Sequence, residues 1–386
     1  MYNAVDLFSG AGGLSYGFEQ AGFKIVFANE MDSWAAETYV HNRENAHMVV
    51  GDISEIPDSA FEPYNGITDV VMGGPPCQGF SIAASNRRDK NDRRNYLFRQ
   101  LLRVVDIVMP KVVLIENVRQ FETAILPDGI KIIDEISAFF EDKGYYFEHA
   151  IINVAEYGVP QERVRFFLIA HRKEIPWKSN FFKALEQSPE LTIWDAISDL
   201  PDVFPCQYSE GDMVKYDKCP TNEYQRQLRG NKSAVANHIA MRHTKRTIEK
   251  FSYIVCGDSA ELPDNFKPRK RGNPIEISEK VYDQNHRRIN PNKPSPTITA
   301  SFYSSFIHPF ANRNLTVREA ARIQGFPDDY EFTGKRTTLS KKLLKAKGIT
   351  EDIHLDQFNQ VGNAVPPIFA KKIAEEIAFR LGGENR

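Results

Sequence analysis

The chain has 386 residues, 41% of them hydrophobic and 26% charged, a size and composition for roughly two or three globular domains around a sizeable core. No apolar run reaches the roughly 18 residues of a membrane span, and the chain opens on AVDLF with no basic leader, so no membrane partner and a cytoplasmic location are expected. The net charge of −2 excludes a globally basic nucleic-acid binder, so an anionic partner has to be met by a local patch.

In chain order, AVDLF predicts a strand, SGAGG a turn and LSYGFEQAG a helix ending at Gly22. The turn sets Gly10, Ala11, Gly12 and Gly13 between strand and helix, where amide donors are exposed to a ligand. It lacks the spacing of a dinucleotide GxGxxG and is not a phosphate loop. KIVFANE predicts a second strand ending on Glu30, a carboxylate suited to the hydroxyls of a ribose. A helix around SWAAETYVHN follows, then a third strand, HMVVGDI, with Asp52 placed to accept from an adenine amino group. Turn and carboxylates together point to an adenosine-containing ligand without a required pyrophosphate, S-adenosylmethionine rather than NAD. A tight turn with two structural carboxylates is the competing explanation.

TDVVMGG and KVVLIENV predict the fourth and fifth strands, with LFRQLLRVVDIVM and GIKIIDEISAFFEDKG as helices. Between them stands GGPPCQGFS, Gly73 to Ser81. Its prolines, Pro75 and Pro76, fix φ and remove two amide donors, and its glycines admit close approach, so the turn aims the side chain of Cys77. Glu116 ends the run VVLIE as a buried carboxyl, and desolvation keeps such a group protonated for acid catalysis. An inert thiol and a helix-capping carboxylate are the plainer explanations. The loop SIAASNRRDKNDRRNYLF, with Arg87, Arg88, Lys90, Arg93 and Arg94, has the composition of a lid over an anionic substrate.

YYFEHAIINVAEYG and RVRFFLIAHR predict a late strand pair. In PQERVRFF, Arg163 and Arg165 alternate and leave on one face, able to bind a carbonyl oxygen or a phosphate, or to form an ion-pair ladder. Strand and helix alternating in this way predict an α/β fold, a doubly wound, mostly parallel sheet with its ligand beyond the carboxyl ends of the strands. Residues 1–180 form this domain, 181–286 a smaller loop-rich one, and 287–386 a third region with helices TVREAARIQ and IFAKKIAEEIAFRL. The stretch 334–348, GKRTTLSKKLLKAKG, predicts a basic helical insert with no readable role.

Local charge supplies what the total lacks. Lys215 to Lys250 holds nine Lys/Arg against three Asp/Glu, and Phe266 to Lys293 eight against three. Arg269, Lys270, Arg271, Arg287 and Arg288 in the second stretch, with Ser81 and Arg94 in the loop, are expected at a phosphate-bearing partner; a solvated surface explains the charges equally well. The cysteines, 77, 206, 219 and 256, form no CxxC pair, which argues against zinc and disulfides and for a reducing compartment.

These segments in this order resemble the DNA cytosine-5 methyltransferase family, of the bacterial restriction-modification type. DLFSGAGG is similar to its methyl-donor loop, NEMD and GDI to its adenosine contacts, GGPPCQGFS to its nucleophile motif, ENV to its acid motif and QERVRFF to its arginine motif. RRINPNKPSPTITA and QVGNAVPP resemble its last two motifs, and residues 181–286 fall where it places a variable target-recognition domain. The resemblance implies the S-adenosylmethionine-dependent methyltransferase fold, S-adenosylmethionine as donor with S-adenosylhomocysteine as product, and no metal. It implies Cys77 as covalent nucleophile at C6 of a flipped-out cytosine, Glu116 as donor to N3, Arg165 with Arg163 at O2, and the Pro76 carbonyl at the exocyclic amine. For the donor it implies Phe8 on adenine, Gly10 to Gly13 around the methionine part, Glu30 at the ribose, and Asp52 and Ile53 at the adenine. Leu97, Asn363 and Val365 match further donor contacts. Many relatives carry an aromatic residue at the position of Met31, so a thioether contact would replace stacking.

The implied partners are double-stranded DNA and a cognate restriction endonuclease acting on the same site; a monomer is expected. An RNA cytosine-5 methyltransferase is the nearest rival, but the branch that acts on tRNA has a much shorter recognition region. A catalytically silent DNA-binding relative is opposed by intact Cys77, Glu116 and Arg165. An adenosine-binding oxidoreductase leaves GGPPCQGFS unexplained.

Overall fold

The structure, a computed structural model, describes residues 1–76, 93–177, 180–205, 213–256, 262–270, 272–278, 286–339 and 341–383. Its centre is a seven-stranded sheet made of β1 (Asn3–Leu7), β2 (Lys24–Glu30), β3 (Met48–Val50), β4 (Val70–Gly73), β5 (Val112–Val118), β6 (Tyr145–Asn153) and β8 (Val164–Arg172). The two-residue β7 (Gln161–Glu162) lies outside it. The order is β3-β2-β1-β4-β5-β8-β6: the first five strands run parallel, and β8 enters antiparallel between β5 and β6. The mostly parallel doubly wound sheet is therefore present, with the late strand pair as its antiparallel edge.

Nearly continuous apolar strands follow from burial on both faces. In β5, Val113 and Ile115 face one core while Val112 and Leu114 face the other, and β8 divides Phe166 and Leu168 from Phe167 and Ile169 in the same way. Helices α1 (Gly13–Gln20), α2 (Ser33–His41), α3 (Phe98–Val108) and α4 (Ile132–Asp142) connect the strands. In α3 the buried Phe98, Leu101, Leu102, Val105 and Val108 repeat at helical spacing and join the first core. On the other face α1 meets the last helix, Pro367–Leu381, where Leu14 and Phe18 pack with Phe369, Ile373 and Ile377.

A third core joins Ile193, Ile197 and Leu228 to Ile298, Phe306, Val317, Ile323 and Phe358, so residues on both sides of 286 share one interior. Ser295–Pro296 pairs with β7, which ties the third region to the sheet. The insert differs from its prediction: among its described residues it is helical only over Lys341–Ala346, because Gly334 takes a left-handed φ of 77° and Thr338 bonds through N and Oγ1 to Asp356 instead of continuing a helix. Among the described residues no helix is long and apolar enough to cross a membrane.

Candidate active site

The predicted donor residues gather at the carboxyl ends of β1, β2 and β3. After β1 the chain turns through Phe8 at φ +57°, a conformation rare for a residue with a side chain, then through Gly10 at +55° and Gly12 at +86°. Ser9 N donates to the Asn29 carbonyl (3.0 Å), and Gly10 N to Glu30 Oε2 (2.8 Å). Glu30 Oε1 accepts from Asp32 N at 2.7 Å. Two amides from two elements thus orient the Glu30 carboxylate. Burial raises its pKa, and those amide bonds oppose the shift.

A Cβ on Gly13 would stand 2.3 Å from the Val365 carbonyl oxygen, so glycine alone lets α1 approach the last motif. Val365 is buried beside it and Asn363, at the end of helix Gln357–Asn363, is exposed. Asp52 Oδ1 accepts from Ser54 N (2.9 Å) and Ser54 Oγ (2.7 Å), next to buried Ile53. Phe8 and Leu97 are half-buried at the edge of the first core, and Met31 is 69% exposed at the rim.

Cys77, Ser81 and most of the basic loop lie outside the described residues, but the platform that leads to them is defined. Glu116, near the end of β5, stands against the double-proline turn: a Cβ on Gly74 would lie 3.1 Å from its Oε2. Its neighbour Asn117, on the opposite face of the strand, donates from Nδ2 to the Pro75 carbonyl at 2.9 Å and fixes the turn that continues into Pro76. Arg165 is paired in register with Val118, two residues from Glu116 and on the same face, and its Nε lies 3.3 Å from Glu116 Oε1. These side chains are only 17% and 13% exposed. Burial raises the Glu116 pKa, and Arg165 and then Arg163 hold the rise back.

Arg163, which also acts on Glu116, is held by backbone carbonyls. It is 2% exposed, and its Nη1 donates to the carbonyls of Ile298 (3.1 Å) and Gly362 (3.2 Å). That guanidinium joins the sheet to the third region, while Arg165 faces Glu116. The Arg288 guanidinium donates to the carbonyls of Phe251 (2.7 Å), Ile254 (2.6 Å), His308 (2.8 Å) and Ala311 (2.9 Å), so it ties two segments of the chain together. Arg94 is exposed beside α3, and Arg287 is exposed over the Phe306 ring. Arg269 and Lys270 lie on an exposed hairpin with Asn273–Ile277, Arg269 donating to the carbonyls of Ile275 and Asp264 and Lys270 paired with Glu276. Arg271 is outside the described residues.

Several supporting residues escaped the sequence. Arg43 donates to the Gly12 carbonyl (2.9 Å) and to Tyr330 Oη (3.0 Å), and Tyr330 Oη donates to the Ala11 carbonyl. No local signal marks that pair, which is 287 residues apart in the chain. Asp6, buried under the turn, accepts from Ser15 Oγ at 2.6 Å, and burial lifts its carboxyl to about 7. Asn117 was legible, since it stands inside ENV, and so was Gln161 inside QERVRFF, which accepts from Ile298 N (2.9 Å) and donates to Gln324 Oε1 (2.8 Å).

The family of C-5 cytosine-specific DNA methylases matches residues 2–378 of the chain. The type II methyltransferase M.DdeI of Desulfomicrobium norvegicum is 41% identical over 389 aligned positions, covering 99% of this chain and 90% of the relative. M1.HphI of Haemophilus parahaemolyticus is 33% identical, covering 97% and 86%. Among solved structures, an E. coli prophage protein of the DNA modification methyltransferase type superposes with a TM-score of 0.76 at 25% identity, covering 99% of this chain and all (100%) of that one. The Dnmt2 methyltransferase of S. pombe, at 18% identity and a TM-score of 0.53, shares the fold.

Proposed function

Since the chain belongs to the C-5 cytosine-specific DNA methylase family, with type II methyltransferases as relatives, we propose that it methylates C5 of a flipped-out cytosine in a short duplex DNA site, through a covalent Cys77 adduct. The observation that carries this reading is the buried Glu116–Arg165 pair set against the Pro75–Pro76 turn that delivers Cys77. S-adenosylmethionine fits the other half of the site. Its adenosine would meet Phe8, Met31, Asp52 and Ile53, its ribose Glu30, and its methionine part the turn Gly10 to Gly13, with Leu97, Asn363 and Val365 closing the pocket. When bound, the donor supplies an electrophilic methyl group.

The chain's own residues do the rest. Cytosine is a weak nucleophile at C5, and a thiolate adding at C6 makes C5 carbanion-like. Glu116, whose pKa burial raises, donates in its protonated form to N3 as that charge develops, which neutralises the ring. Arg165 orients Glu116 and faces O2, and the Pro76 carbonyl accepts from the exocyclic amine, which separates cytosine from thymine. C5 takes the methyl group and loses its proton to solvent, Cys77 leaves as the thiolate, and N3 returns its proton to Glu116, which restores the aromatic ring.

Residues 1–180 form the catalytic domain of this reading and 181–286 the target-recognition domain, with 287–386 partly returning to the sheet. The enzyme acts as a cytoplasmic monomer beside a restriction endonuclease for the same site. Base-resolution 5-methylcytosine mapping of plasmid from cells expressing the intact protein or Cys77→Ala tests the proposal. Methylation at one short motif, lost with Cys77→Ala, supports it. No methylation from folded intact protein overturns it.

A further inference from the structure

We infer that the segment 334–356, which contains the insert 334–348, braces the donor pocket, with His354 as a positioning residue for the methyl donor; this rests on the donor assignment above. The segment leaves the third region at Thr333 and re-enters it at Asp356, and between these points it lies on the start of α2. That start is the continuation of β2, three residues beyond Glu30. Thr333 N donates to Thr38 Oγ1 (2.9 Å), and Gly334 packs on the Trp34 ring, where a Cβ would stand 3.0 Å away. The far end is held more closely. Leu355 N donates to Asp32 Oδ2 at 2.9 Å, and His354 Nδ1 lies 3.6 Å from the same oxygen. Ser33 Oγ stands 3.2 Å from His354 Nδ1, and the imidazole packs against Trp34 with ring centroids 5.4 Å apart.

Asp32 is the hinge of this arrangement. Its Oδ1 caps α2 through Trp34 N (3.2 Å) and Ala35 N (3.1 Å), its Oδ2 takes the segment, and its own N donates to Glu30 Oε1 (2.7 Å). The ribose carboxylate and the exposed Met31 are therefore held between β2 and a cap fixed by the segment. The same segment also leads into the other wall of the pocket: Asp356 caps helix Gln357–Asn363 through Asn359 N (2.9 Å), and that helix ends at Asn363. Lys335 and Asp352, 2.7 Å apart, close the base of the segment. A segment bonded to α2 and its cap at both ends, and continuous with helix Gln357–Asn363, ties the two walls together and limits how far they separate. A ligand gripped by both walls then meets a site already organised, which raises its affinity.

Calorimetric binding of S-adenosylhomocysteine to the intact protein, His354→Ala, His354→Gln and Lys347→Ala tests this, with steady-state methylation run beside it. His354→Ala should bind about five-fold more weakly, the scale of one hydrogen bond, and raise the donor KM with kcat and the DNA KM unmoved. His354→Gln, which still reaches Ser33 with a polar atom, should recover part of the loss. Lys347→Ala, on the exposed far part of the insert, should match the intact protein. Equal affinity in His354→Ala and the intact protein overturns the brace, as does a loss spread equally over donor affinity, kcat and DNA KM. No binding by the intact protein overturns the donor assignment itself, and the brace with it.

Discussion

Glu116 shows how much one residue draws from its neighbours. Its carboxyl sits between a burial effect that favours the neutral acid and an arginine 3.3 Å away that favours the anion, with burial the larger. Removing that acid with Glu116→Gln should slow single-turnover methyl transfer by about 10² to 10⁴. In the intact enzyme the rate at saturating donor should fall as pH rises through the raised pKa, because only the protonated form donates to N3; Glu116→Gln should lose that limb of the profile. Asp6 carries a stability consequence. Its carboxyl is lifted to about 7 from an ordinary 3.8, so between pH 4 and 7 the folded state holds more protons than the unfolded state, and stability falls as pH rises through that window. Asp6→Asn should flatten this dependence in denaturant titrations at successive pH values.

At the scale of elements, the site depends on close backbone approach. Gly13 faces the Val365 carbonyl and Gly17 faces Ala370 and the Pro367 carbonyl, where a Cβ would stand 2.5–2.6 Å away. Helix α1 and the helix Pro367–Leu381 are thereby pressed together beneath the donor turn. Gly17→Val should separate them, lowering stability by about 1–3 kcal/mol, measurable as a lower urea midpoint, and weakening donor affinity in the same protein. The glycines of SGAGG and the helix that follows are visible in the sequence as a turn and a helix start. What they are small for is not visible, because the opposing carbonyl comes from the far end of the chain.

At the scale of the whole molecule, two arginines that look alike in the sequence part company. Arg269 is exposed on a hairpin, whereas Arg288 is enclosed by carbonyls from two separate segments, 251–254 and 308–311. Arg269→Ala should weaken DNA binding and reduce the salt slope by about one for each phosphate it no longer neutralises. Arg288→Ala should instead lower the melting temperature and leave the salt slope of the remaining folded protein unchanged. Gel-shift affinities at a series of salt concentrations, set beside thermal unfolding, separate the two.

The alternating strands and helices, the glycine turn after β1, and the Glu116–Arg165 pair are all legible in the amino-acid order. Apolar periodicity and turn chemistry act over a few residues, so a linear reading captures them. Folding was needed to make Arg163 clasp Ile298 and Gly362, to turn Arg288 into a hub, to set Arg43 and Tyr330 under the donor turn, and to rest the segment 334–356 on α2. Each of these depends on which carbonyls and side chains the fold brings within hydrogen-bond reach of a polar or charged group. That distance is set by packing between segments far apart in the chain, and it leaves no periodic trace in either of them.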